Sequence, residues 1–475
     1  MAIALNQFIT YSNSVYDINS KFNSLERKNL DAKTKAYTVA KMIFASMSCG
    51  HASLNLLNEI NKNSDLKFNS IYSKNEYVPM THAIRDCIMD TDFNQIKKIN
   101  EDIIKHAKGN KIFKKNKVDG LTVIAWDGVD LSETTKNIEG LPERERSTGI
   151  TKYIKYECAM NIGERANIMV NSKQFLEVEK IKTKKDEERA KTIGETKAFE
   201  KMWDETEKIV GSVIDVHVFD ALYLNQDVTN LINKAGRYFV IRLKDERRHI
   251  YKDAKGLFEG RKADYKYEIV EKKITSDTKY SKKAKKKDKV KIKYKKYKRE
   301  ITDCKLGKEI EIDSYTSKKK NSIVNVKITE TVISRKEVWS DKFELTGYEG
   351  DVRVIRSLET HYRDGKEVKQ ELYVVTNMLK HDVESILKIM HLRWNIENCG
   401  FRKLKQNYNI EHVFIGEYNA INYIVQIIFM AFNLLELYVK IRLKEKIEET
   451  WEIIKRKFEN AFHNDKIVKE VFKII

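Results

Sequence analysis

Proline is almost missing from this chain of 475 residues, with only two in the whole sequence. Cysteine is scarce as well: five residues, at positions 49, 87, 158, 304 and 399, with no CxxC pair among them. No Cys/His cluster has the spacing of zinc ligands, which excludes a zinc-held fold of the finger or ribbon kind. The odd number and wide spacing argue against a disulfide framework, and reduced thiols in a cytosol are the expectation. The opening MAIALNQFITYSNS has no basic stretch followed by an apolar core, so no signal peptide is expected there. No long repeat is present. One run resembles a membrane span in composition, INYIVQIIFMAFNLLELYV at 421–439. It carries Asn422, Gln426 and Asn433 on one helical face, and Glu436 besides. A buried helix of a globular domain is expected there, and no membrane partner.

Lysine, by contrast, is abundant. Lys and Arg number 90 against 70 Asp and Glu, a net charge of +20 that favours a polyanionic partner, nucleic acid first. The weight of that argument is modest, because a Lys, Ile and Asn bias with little proline is what AT-rich coding imposes on any protein. The hydrophobic share of 41% makes the chain globular, and its length allows two or three domains.

Pattern divides the chain into five stretches. Residues 1–117 read as helical; DAKTKAYTVAKMIFASM has helical apolar spacing, SCGHAS interrupts it near Gly50, and LNLLNEI resumes it, compatible with a helix-turn-helix or an ordinary helical hairpin. Residues 118–245 read as strand, strand, strand, helix, strand, helix, strand. The segments are LTVIAW, YIKYECAMNI, RANIMVNSKQF, the charged run ending in DETEKIV, SVIDVHVF, NQDVTNLINKAG and YFVIRLK. That order is a mixed α/β sheet with helices packed on it. Residues 246–370 read as a Lys-rich β insertion; twelve of the eighteen residues from Lys282 to Arg299 are Lys or Arg, and KVKIKY alternates as a strand with one wet basic face would. Core-strand composition returns in YVVTN, within a stretch from 371 to 440, and 441–475 completes a helical C-terminal region.

Three acids stand out by context: Asp127 after LTVIAW, Asp220 after SVIDVHVF, and Glu397 in HLRWNIENCGFRKLK. Three hard oxygen ligands from distant points in a chain can hold a pair of Mg²⁺ ions, and such a pair can cut and rejoin phosphodiesters. Each acid alone has an ordinary reading: Asp at strand ends is a common turn residue, and Arg393 with Glu397 is a helical i,i+4 pair. Asp130 and Glu133 rival Asp127, and Asp215 rivals Asp220.

In combination these segments resemble the DDE-class transposases of bacterial insertion sequences, whose catalytic core is ribonuclease H-like. WDG at 126–128 is similar to their first-Asp strand, VFDALYLN at 218–225 to their second-Asp segment, and RWNIENCGFRKLKQNYNIEHVF at 393–414 to their Glu helix. The resemblance covers roughly residues 118–440. Arg393 and Glu397 match the Arg and Glu of the Tyr-Arg-Glu-Lys signature, whereas the Tyr position is Met390 and the Lys position is Leu404, flanked by Lys403 and Lys405. On an ideal helix Lys405 lies about 80° from Glu397 and Lys403 about 120°, so Lys405 is the better stand-in unless a bulge at 398–400 changes the phase.

The resemblance implies a ribonuclease H-like α/β fold with a β-rich insertion and helical terminal regions. It implies that Asp127, Asp220 and Glu397 are catalytic and bind Mg²⁺ (or Mn²⁺), with Arg393, Lys405 and Lys403 binding DNA and Trp126 packing beneath the site. The implied activity is cleavage of insertion-sequence ends and transfer of 3′ strands to target DNA. The implied partners are double-stranded DNA, as terminal inverted repeats and target, and a second copy of the chain on that DNA. The implied location is the cytoplasm, on the nucleoid. A metal-dependent nuclease without strand transfer, and an inactive DNA-binding relative, are the alternatives.

Overall fold

The structure is a computed structural model that describes residues 5–51, 53–54, 79–139, 141–147, 149–175, 184–244, 246, 248–284, 286–363, 366–443 and 451–462. The chain forms two compact units, residues 1–240 with 384–475, and residues 241–383.

The first unit is built on a mixed sheet. Its strands are β1 (Val123–Thr134), β2 (Glu143–Arg146), β3 (Gly149–Ile162), β4 (Asn167–Gln174), β5 (Val216–Phe219) and β6 (Tyr238–Leu243), which runs on past residue 240. β3 pairs antiparallel with β1 on one side and with β2 and β4 on the other, β1 pairs parallel with β5, and β6 flanks β5. Three antiparallel strands followed by a parallel neighbour is the ribonuclease H-like mixed sheet that the resemblance implies. Burial on both faces explains why the core strands read as apolar runs rather than alternations: every residue of β3 from Tyr153 to Ile162 is buried, and so are all four of β5.

The helix Lys184–Val210 packs on β3 and β4, and the apolar helix Tyr418–Glu436 packs on β4 and on the helices Ala36–Cys49 and Phe93–Gly109. Burial follows from this packing for the run at 421–439. Its polar face is fully used: Tyr156 Oη donates to Asn422, Gln426 donates to Ser172, and Asn433 both accepts from Met169 N and donates to Met169 O. Asn433 thus satisfies a strand residue's backbone as a neighbouring strand would.

Several details differ from the sequence reading. β1 does not end at Trp126 but continues to Thr134, because β3 pairs with it as far as Lys152. β5 begins only at Val216, after a 3₁₀ turn at Gly211–Val213. A helix, His249–Glu259, opens the Lys-rich stretch. Its lysines masked the buried stripe of Ile250, Ala254 and Phe258, four residues apart. Helix is broken at 409–417, where Asn409 takes a left-handed conformation (φ 49°). Beyond Leu54, the LNLLNEI segment lies outside the described residues, and so does the test of a helix-turn-helix there.

The second unit is dominated by antiparallel strands: β7 (Tyr265–Tyr280), β8 (Lys289–Arg299), β9 (Glu309–Lys319), β10 (Ser322–Glu344), β11 (Asp351–Arg363) and β12 (Lys366–Thr376). The order is β12-β11-β10-β7-β8. β10 is long enough to pair β9 along its first half and β11 along its second, with β7 on its other side from Ser322 to Val338. Val270, Leu306 and Val332 form a small core at the foot of the β7–β10 pair.

Candidate active site

The parallel ladder between β1 and β5 ends at Ala125 opposite Val218. Two residues further on, β1 presents Asp127 and β5 has turned away at Asp220, so the two acids stand at matching positions where the strands part. Asp127 is therefore at the end of a strand pairing rather than of a strand. Openings of this kind beyond paired strand ends are where α/β sheets place their sites. Asp220 caps the short turn Ala221–Tyr223, accepting from Leu222 N at 2.8 Å.

Glu397 arrives from the other end of the chain. It opens a π-helical turn, Ile396–Phe401, set between the helices Val383–Leu392 and Arg402–Tyr408. Gly400 lets this turn approach the sheet, since a Cβ there would collide with the Met160 side chain of β3. A π turn inserts about one extra residue. With that residue absorbed, Lys405 falls within about 20° of Glu397 instead of about 80°. Its Nζ donates to the Asp130 carbonyl on β1 at 3.1 Å and pairs with Glu411 at 2.7 Å. Leu404 and Met390 are buried core residues. Lys403 goes elsewhere: it pairs with the buried Glu436 at 2.7 Å and lies over the Trp451 ring.

Arg393 joins two of the three acids. Its Nη1 donates to Asp127 Oδ2 at 3.2 Å and its Nη2 to Glu397 Oε1 at 2.9 Å. The side chain is 5% exposed and its Nε has no partner among the described residues, so this is not the surface i,i+4 pair that its spacing also allowed. Burial pushes the Asp127 carboxyl up to about 7; Arg393 opposes the rise, and the charges of Asp220, Glu397 and Glu195 add to it. The rival acids have structural partners. Asp215 accepts from Thr122 N at 2.7 Å, Glu133 pairs with Arg144 at 2.8 Å, and Asp130 is largely exposed.

The reverse face of the sheet holds a second charged layer. Gly128 of the WDG run has no side chain because one would collide with a buried ion pair, Lys155 and Glu195 at 2.7 Å. Glu157, opposite Gly128 on β3, is fully buried, and accepts from Tyr223 Oη at 2.7 Å while its Oε2 has no partner among the described residues. Burial and the neighbouring Glu195 hold its carboxyl well above the usual range. The sequence offered one signal for this layer, charged residues inside the core run YIKYECAMNI. Trp126 packs beneath the site, its ring against Phe199 and Phe219 and its Nε1 donating to His217 Nδ1 at 3.0 Å.

Chemically, the site is a group of carboxylates whose negative charges outnumber the one guanidinium that joins Asp127 and Glu397. Among the described residues no three acids, histidines or cysteines converge tightly enough to hold a metal as they stand, and Arg393 occupies the space between Asp127 and Glu397. The donor set suits a hard divalent cation, since its oxygens are carboxylates and their mutual repulsion is what a cation relieves.

No curated protein matches the chain. A family model described as the transposase DDE domain matches residues 187–434, just over half of the chain, a span that includes Asp220, Arg393 and Glu397 and begins after Asp127. With its ribonuclease H-like sheet and this match, the chain belongs to the DDE transposase family, whose members process DNA with divalent metal ions.

Proposed function

We propose that the chain is a transposase of the Tyr-Arg-Glu-Lys branch, cleaving insertion-sequence ends and joining the freed 3′ strands to target DNA. The observation that carries this reading is the link from Arg393 to both Asp127 and Glu397, with Asp220 at the matching strand opening. Asp127, Asp220 and Glu397 would hold Mg²⁺ or Mn²⁺, which when bound polarises the attacking oxygen and stabilises the leaving one. Arg393 is planar and has donors for two acceptors at once, so a scissile phosphate could take the place of a carboxylate against it. Lys405, beside the Asp130 carbonyl, adds a point charge for a neighbouring phosphate. Lys403 serves the core through Glu436, which favours Lys405 over it as the signature lysine. The substrate is double-stranded DNA carrying terminal inverted repeats, and bringing two ends together calls for two copies of the chain.

The test is a cleavage and strand-transfer assay on a duplex ending in the repeat that brackets the gene, with Mg²⁺ or Mn²⁺. Asp127→Asn is expected to abolish cleavage while DNA affinity in EDTA stays within about threefold. Retained cutting by that variant sinks the assignment of Asp127. Cleavage by the wild type with no joined product would make the chain a nuclease instead.

A further inference from the structure

In the outer half of the second unit's sheet, the ladder β9-β10-β7-β8, the strands β8 and β9 are exposed along nearly their whole length, while the β7 and β10 residues on the face shared with Val270 and Val332 are half-buried or buried. Cross-strand register assigns each side chain to a face. The two faces differ in how their charge is matched.

One face largely neutralises itself. Lys296 lies 3.6 Å from Glu271, Lys273 3.7 Å from Glu309, and Lys327 2.8 Å from Glu311; the same face also carries Lys298, over the Tyr267 ring, and, towards its tip, Asp277, Lys279 and Lys318. The other face carries Lys289, Lys291, Lys293 and Lys295 in a row along β8, all exposed. None of the four has an ion-pair partner among the described residues. Their cross-strand neighbours on β7 are Thr278, Ser276, Ile274 and Lys272, with no acid among them. The acids on this face lie away from the row: Asp313 is on β9, and Glu268 and Glu330 are held by Arg299 at 2.7 and 3.0 Å. Among the described residues β8 is also the last strand of the sheet, with no strand paired on its far side.

We infer that this lysine-bearing face of β8 is a docking surface for the phosphate backbone of duplex DNA. Alternate residues of a strand are about 6.8 Å apart, so the row extends roughly 20 Å. That is the axial length of about six phosphates of one DNA strand. Uncompensated, exposed ammonium groups on a short, regular pitch suit a sequence-independent contact, because each displaces a counterion from the backbone without reading a base. The assignment rests on DNA being the partner, and adds which face of the insertion meets it.

The experiment uses the full-length chain and a labelled linear duplex in EDTA, so that binding is read without cutting. Affinity is measured between about 50 and 200 mM salt. Replacing Lys289, Lys291, Lys293 and Lys295 together by Gln should reduce the slope of log affinity against log salt by up to about 3.6, at about 0.9 per phosphate contact. Over that range the wild type then loses about 100-fold more affinity than the variant. The Lys→Arg quadruple variant should keep the wild-type slope. The matched control, Lys273→Gln with Lys296→Gln and Lys327→Gln, should also leave it unchanged. An unaltered slope in the first variant overturns the inference, and so does an equal loss in the control. A loss seen on RNA but not on duplex DNA overturns it as well. Failure of the broader reading looks different: the wild type would show no salt-dependent duplex binding at all, or Asp127→Asn would still cleave.

Discussion

Asp127 is the group whose removal should strengthen the metal-free protein. Its carboxyl titrates near 7 in the folded chain against a reference of 3.8, a rise of about three units, because it is buried beside Asp220 and Glu397. An acid raised on folding is harmless below its unfolded pKa, where both states carry the proton. Its penalty grows as pH rises from about 4 to about 7 and is constant above. Three units at about 1.4 kcal/mol each set a ceiling of roughly 4 kcal/mol. Coupling to Arg393 and local relaxation reduce this, so Asp127→Asn should stabilise the first unit by about 2 kcal/mol at pH 8. Asn keeps an oxygen that can accept from Arg393 Nη1, so the link at 3.2 Å need not be lost. Calorimetry in EDTA reads the effect as a rise of a few degrees in the transition of that unit. The gap between variant and wild type should shrink towards zero as pH is lowered to 4. At pH 8, Mn²⁺ should raise the wild-type transition and leave the variant nearly unmoved. A variant less stable than wild type by 1 kcal/mol or more at pH 8 refutes the reasoning, since the carboxylate would then be a net support of the fold.

Two further predictions concern residues away from the chemistry. His217 is fully buried with its pKa pushed down to about 3 by burial and by Arg237, so the neutral ring is the folded form and its approach to Glu207 at 4.0 Å is not an ion pair. A base depressed on folding is harmless above its unfolded pKa near 6.5, where both states are neutral, and its penalty grows as pH falls towards 3. His217→Gln should therefore flatten the decline in stability between pH 6.5 and 4.5 in urea unfolding, and an unchanged decline would refute it. Lys403→Met should cost about 3–5 kcal/mol by stranding the buried Glu436, and a double variant with Glu436→Leu should recover most of it. Salt-dependent DNA affinity should be the same in the double variant as in wild type, and a drop of one contact in its slope would return Lys403 to the DNA-binding residues.

How much was legible follows from range. Elements whose identity rests on local pattern were readable: the charged stretch Lys184–Val210, the β4 segment after Gly163, and the basic alternation of β8 occur where composition put them. What needed the tertiary structure was the meaning of charge inside those elements. Lys155 and Glu195 are 40 residues apart, and nothing in either context announces that they pair beneath Gly128; the glycine is intelligible only once they do. β8 illustrates the same limit from the other side. Its sequence shows alternating lysines, yet whether they are neutralised depends on Glu271, Glu309 and Glu311 falling on one face of the ladder and not the other, which register alone decides. The Glu helix shows how a gap in a motif can close. On the proposed reading, Leu404 interrupts the signature only if the helix is ideal: the π turn at Ile396–Phe401 shifts the phase by about one residue, and Lys405 reaches the Asp130 carbonyl on β1. A signature is a spacing along a sequence, whereas a site requires a spacing in angle; on the proposed reading, the irregular helical turn at Ile396–Phe401 is what reconciles the two.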